Sequence, residues 1–142
     1  VAFRPVRAAD VPRIAELCRQ LGYPSAPRQV RQRLRWIRGR PSHMVLVADL
    51  PGAGVIGWVH VHLCHLLEEE RQAEIGGLVV DQAHRGCGAG RLLARRAEAW
   101  ARAMKCRTLR LRTNVIRRRT HRFYEQIGYR RIKTQRVYRK SL

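Results

Sequence analysis

The pattern that most constrains this chain is a helical stripe. From Gly88 to Met104, Leu92, Leu93, Ala97, Trp100, Ala101 and Met104 recur at the 3.6-residue period, while Arg95, Arg96, Glu98 and Arg102 fall largely elsewhere. This predicts a long amphipathic helix with one face in a core. The preceding run, Ala73 to Val80, reads as a strand that ends at Asp81. Between them, the stretch HRGCGAGRLL places Gly86, Gly88 and Gly90 within five residues. A strand feeding a glycine turn that opens a helix aims unpaired N–H groups and the positive end of the helix dipole at whatever sits there. An anion is the natural guest, and a helix-starting turn with nothing bound is the alternative. GxxxxGK[ST] is absent and the spacing does not fit G-x-G-x-x-G, so neither nucleotide-loop pattern applies.

The other elements follow from the same rules. Phe3 to Arg7 reads as a strand, and Asp10 as the N-cap of a helix from about Val11 to Leu21 that stops at Gly22. Val30, Leu34 and Ile37 mark a basic second helix closed near Gly39 and Pro41. His43 to Asp49 and Val55 to Cys64 make a hairpin around Pro51-Gly52-Ala53-Gly54. Leu109 and Leu111 alternate with Arg110 and Arg112 as a half-buried strand should. A short helix spans about Arg118 to Ile127, and Tyr129 to Lys133 and Gln135 to Arg139 read as two terminal strands. The expected fold is a single α/β domain over residues 1–142, with a mixed sheet and no internal repeat.

Composition matters at three points. The formal net charge is +20, and from Arg85 to Lys140 there are 19 Lys and Arg against two acids, Glu98 and Glu125. The charge admits nonspecific attraction to nucleic acid, although no reader motif is present; a solvated surface is the alternative. Cys18, Cys64, Cys87 and Cys106 are 46, 23 and 19 positions apart with no C-x-x-C pair, which points to reduced thiols in a cytoplasm and to no metal. No apolar run approaches a membrane span, and VAFRPVRAAD lacks the apolar core of a signal peptide.

Arg85, Gly88 and Gly90, following the strand at Leu78-Val79-Val80, resemble the acetyl-coenzyme A signature [Q/R]-x-x-G-x-[G/A] of the GNAT N-acetyltransferase superfamily. Asn114, Arg117, Thr120, His121, Phe123, Tyr124, Glu125, Gly128 and Tyr129 resemble its N-x-x-R-x-x-A-H-x-F-Y-E-x-x-G-F pattern, with Thr for Ala and Tyr for Phe. The resemblance implies the GNAT fold, a mostly antiparallel sheet of about seven strands flanked by about four helices. It also implies transfer of an acetyl group from acetyl-coenzyme A to a primary amine by direct attack, without a metal. On this reading the pyrophosphate lies on Arg85, Gly86, Cys87, Gly88, Ala89, Gly90 and Arg91. The pantetheine arm pairs with Leu78, Val79 and Val80, and Asn114 and Arg117 reach the cofactor. Tyr124, which also contacts the cofactor, matches the family tyrosine that protonates the departing thiolate; the alternative is a core aromatic beside Phe123.

Glu74 stands six residues before Val80, in a place similar to the general base of histone acetyltransferases in the superfamily. An exposed member of an acidic hairpin is the alternative. Cys87 reads as a small filler rather than a nucleophile, and His60, His62 and His65 as structural or surface residues. The oxyanion is assigned to a backbone N–H of Leu78 to Val80. Glu68, Glu69, Glu70 and Glu74 favour a cationic acceptor, a small amine or a peptide or protein amine, whereas Arg33, Arg35 and Arg38 favour one bearing a carboxylate. A second copy of the chain is expected to pair through Val137 and Tyr138. The competing class is a module that senses acetyl-coenzyme A without turnover, or binds nucleic acid or an acidic partner.

Overall fold

The periodic stretches become helices where they can bury a stripe. In the computed structural model, which describes all residues from Val1 to Leu142, α1 is Val11–Leu21 and buries Val11, Ile14, Ala15 and Leu17. Its bounds and its N-cap position, Asp10, agree with the sequence expectation, but the cap itself does not form. Asp10 makes no side-chain cap to α1 and instead ends a 3-10 turn, Ala8–Asp10. There it accepts the Arg7 N–H at 2.7 Å and both guanidinium nitrogens of Arg4 at 2.9 Å, while Arg4 Nε reaches Asp49 at 2.9 Å. A buried carboxylate offsets its desolvation better with a forked guanidinium than with one helix amide. The Arg4 hydrogen bonds, against burial and with help from the Arg7 amide, hold Asp10 below the usual carboxylate range.

α2 is Pro27–Ile37, with proline at the helix start where its missing N–H is harmless, and it buries Val30 and Leu34. Five strands form one sheet in the order β1-β2-β3-β4-β5: β1 Ala2–Pro5, β2 His43–Leu50, β3 Gly54–Leu66, β4 Glu69–Val80 and β5 Leu109–Leu111. The first three pairings are antiparallel and β4–β5 is parallel. The parallel step requires a crossover, and α3, Ala89–Ala103, supplies it.

The sheet separates two cores. Val45 and Val47 of β2, Trp58 of β3 and Val79 of β4 pack with α1 and α2 through Leu17 and Leu34. Ile56, Val59, Val61, Ala73 and Ile75 pack on the other face with Leu93, Ala97 and Ala101 of α3. Leu93 is wholly buried, and burial of that size contributes about 2 kcal/mol.

The chain divides into two units, Val1–Leu111 and Arg112–Leu142. The second contains α4, Arg118–Gln126, and no strand. The expectation of strands at Tyr129 to Lys133 and Gln135 to Arg139 is therefore corrected, and the sheet has five strands rather than about seven. Strand propensity expresses a fit to half-buried surface. Ile132, Val137 and Tyr138 are 70%, 86% and 84% exposed, and Arg130, Arg131, Lys133, Arg136, Arg139 and Lys140 crowd the same stretch with like charge. The expected dimer edge at Val137 and Tyr138 thus carries no strand.

Candidate active site

β4 runs out of partners before it ends. β5 pairs only with Ala73, Glu74 and Ile75, so within the sheet no strand covers the same edge of β4 from Gly76 to Val80. Leu78, Val79 and Val80 lie on this open stretch, bonded on the other side to Val59, Trp58 and Gly57 of β3. An extended chain can use the backbone groups left over. Asp81 closes the strand, and the turn that follows leads through Gly86 and Gly88, at φ +82 and +85, into α3. No atom within 4 Å would meet a Cβ at either glycine, so their requirement is conformational and the space before them is open. Gly88 provides no side-chain cap, and the first α-turn closes from the Leu92 N–H to the Gly88 carbonyl at 3.1 Å. The N–H groups of Ala89, Gly90 and Arg91 therefore have no intrahelical partner. Arg85, Gly86, Cys87 and Arg91 are exposed, whereas Ala89 is buried.

A clamp positions this turn. Asp81 is buried, and Arg13 of α1 bonds to its Oδ2, where His84 Nδ1 lies at 3.2 Å. Oδ1 accepts from Gln20 Nε2 at 3.2 Å and from the Ala83 N–H at 3.3 Å. Gln20 Oε1 takes the Gln82 N–H at 2.9 Å, so one α1 side chain holds two consecutive residues of the turn. Burial alone would push the Asp81 carboxyl up, but the bonds from Gln20, Ala83, Arg13 and His84 win and hold it down to about 2.

On the α1 and α2 face of the sheet, the register sets four polar residues directly opposite one another across four strands: His43, His62, Glu74 and Arg110. Arg110 Nε donates to Glu74 Oε1 at 3.3 Å and its NH1 to Glu69 at 3.1 Å. His62 Nε2 lies 3.4 Å from Glu74 Oε2, and the Cys64 thiol points to the same oxygen at 3.7 Å. Burial pushes the Cys64 thiol up, Glu74 adds to this and Arg110 opposes it. His60 Nε2 lies 3.0 Å from His43 Nδ1. Burial, and then the nearby His62 and His43, lower His60 to about 4, so its ring is neutral at physiological pH. His43 is lowered as well, by burial first, and its ring meets Trp36 edge-on at 5.4 Å.

In the second unit, Asn114 takes the Ile116 N–H on its side-chain oxygen at 3.2 Å, while its carbonyl accepts from the Arg117 N–H at 3.0 Å. Asn114 thus builds the turn into α4, and the exposed Arg117 is the residue before the helix. Tyr124 is buried against Phe123 and Tyr129, with ring centroids 5.0 and 5.5 Å away. Burial, only partly countered by Arg117, raises its phenol to about 12. A phenol so placed carries its proton at any physiological pH.

The structure places the glycine turn before α3 and Glu74 beside Arg110, and it adds to them Asp81, Arg13, Gln20, His43 and Arg110, which the sequence does not single out as site residues. Asp81 carried a readable signal, an acid ending a strand where its side chain can turn back on the next amides. Arg110 read only as the polar half of an alternating strand, since its role depends on facing Glu74.

An open strand edge that leads into the free amides of a helix start can hold a long chain with an anion at one end. Residues 10–129 match the acetyltransferase (GNAT) family, and the chain belongs to it. No curated protein sequence matches the chain. Among solved structures, the aminoglycoside antibiotic 6'-N-acetyltransferase AAC(6')-Ig from Acinetobacter haemolyticus superposes with a TM-score of 0.85 at 18% identity, over 100% of this chain and 99% of that one. AAC(6')-Iy, solved with the bisubstrate analogue CoA-S-monomethyl-acetylneamine, gives 0.85 at 14% identity, over 99% and 98%. A transcriptional regulator from Bacillus halodurans C-125 gives 0.83 at 22% identity, over 99% of each chain. At these identities the likeness establishes the fold. No helix is long and apolar enough to cross a membrane.

Proposed function

We propose that this chain is an N-acetyltransferase that moves an acetyl group from acetyl-coenzyme A to a primary amine by direct attack on the thioester. The observation that carries this reading is the juxtaposition of the free edge at Gly76 to Val80 with the uncapped start of α3. The pyrophosphate is assigned to the amides from Arg85 to Arg91, where backbone donors and the helix dipole act together. Pantetheine is assigned to the edge of Leu78, Val79 and Val80, with the oxyanion on one of its amides. Asn114 and Arg117 are assigned to the cofactor on the family pattern they match.

The amine must lose a proton and the thiolate must gain one. Glu74 takes the first role through water: it is half-buried, on the sheet face away from α3, and Arg110 fixes its orientation. Tyr124 takes the second, since a protonated phenol is the state a general acid needs. The acceptor is a small cationic amine or a peptide amine, drawn by Glu68, Glu69, Glu70 and Glu74. The aminoglycoside acetyltransferases among the structural neighbours favour the small amine.

Thiol release from acetyl-coenzyme A, followed across a panel of polyamines, aminoglycosides, amino acids and peptides, tests the proposal. Amine-dependent release is expected for the cationic acceptors, with kcat/KM reduced about 10- to 100-fold in Glu74→Gln. Saturable cofactor binding with no turnover on any amine would replace the enzyme with a sensor.

A further inference from the structure

We propose that His62, Cys64 and Glu74 form a binding site for a thiophilic divalent cation, zinc being the best match. The three residues come from adjacent strands on one sheet face, and one ligand atom from each lies within 4.8 Å of the others. Zinc with bonds of about 2.0–2.3 Å holds tetrahedral ligand atoms about 3.3–3.8 Å apart. Two contacts here fall in that range, Cys64 Sγ to Glu74 Oε2 at 3.7 Å and His62 Nε2 to Glu74 Oε2 at 3.4 Å, and Cys64 Sγ to His62 Nδ1 lies just beyond it at 3.9 Å. As hydrogen bonds the two sulfur contacts are loose. One imidazole nitrogen ligates, so only one of the two His62 contacts becomes an edge of the polyhedron, and the three ligand atoms lie within 4.8 Å of one another.

The surroundings support the donors. Arg110 bonds Glu74 through Oε1 and orients the carboxylate, whereas His62 and Cys64 both approach Oε2. Glu69 neutralises the same guanidinium at 3.1 Å. A thiolate and a carboxylate then balance the charge of the cation. The side chains of His62 and Glu74 keep 23% and 13% exposure, which leaves the ion a way in and a fourth position for water. Binding displaces the thiol proton to solvent and forms one metal–sulfur bond. The sequence hides this site because H-x-C lies on one strand and its carboxylate partner twelve residues from His62 on the next.

The bound ion would also occupy Glu74 Oε2, so zinc would block the oxygen that takes the amine proton; this consequence alone rests on the role of Glu74 given above. Chelator-stripped full-length protein is titrated with Co²⁺, read by absorption, and with Zn²⁺, read by calorimetry. One ion per chain is expected, with proton release and a sulfur-to-cobalt charge-transfer band. Cys64→Ser should abolish the band, His62→Gln should weaken affinity at least about 10-fold, and Cys87→Ser should change neither. Circular dichroism checks that each variant is folded. Absence of saturable binding, or a band that survives in folded Cys64→Ser, overturns the site. Zinc should inhibit thiol release in the wild type and be reversed by chelator. Metal binding without inhibition would instead count against Glu74 as the base.

Discussion

At the scale of the residue, the sharpest assignment is Tyr124. Its burial keeps the phenol protonated, which suits a donor to a departing thiolate and removes it as a base. Tyr124→Phe should leave the Kd for acetyl-coenzyme A within about twofold of wild type while kcat falls about 100-fold; the comparison needs one calorimetric titration and one steady-state series. An unchanged kcat would return Tyr124 to the role of a core aromatic. Tyr124 is singled out as a candidate by the string it forms with His121, Phe123 and Glu125. Arg110 is not, because nothing local to Leu109-Arg110-Leu111 shows which carboxylates stand opposite. Glu74 faces Arg110 across β4 and β5, and its register against His62 lies between two irregularities, at His60 and Val61 and at Cys64 and Leu66, where a one-residue slip would move each side chain to the other face.

At the scale of the element, the clamp on the glycine turn is what the fold adds to the motif. α1 reaches the turn through Arg13 and Gln20, so the helix that buries Leu17 in one core also holds Asp81 and Gln82, where the chain leaves β4 toward α3. Asp81→Asn keeps an acceptor but loses the charge that faces Arg13 and His84. We expect it to weaken coenzyme A binding about 10-fold, with kcat at saturation nearly intact, and to lower stability by roughly 2 kcal/mol. Equal affinity in the two proteins would reduce the clamp to a purely structural contact. The helices and hairpin were readable from periodicity and turn residues. The terminal strands were misjudged because aromatic and β-branched residues there have no surface to bury them, which no local pattern reveals.

At the scale of the whole molecule, the formal net charge is +20. Attraction to nucleic acid through this charge should fall steeply with salt. Acid response is more specific. Asp10 and Asp81 both have carboxyls held below the ordinary 3.8. Their stabilisation is therefore complete above about pH 4 and is lost as pH falls, for Asp81 through about 2. Thermal unfolding of the wild type and Asp81→Asn should accordingly converge between pH 4 and 2 and differ most at neutral pH; a gap independent of pH would contradict this. The central claim is that the turn before α3 grips acetyl-coenzyme A, and its most direct test is calorimetric titration of the cofactor at moderate salt. The wild type should bind one molecule saturably. A folded Gly88→Val, forced to hold a branched side chain at φ +85, should bind at least about 10-fold more weakly. No binding by the wild type, or equal binding by both, would contradict the account.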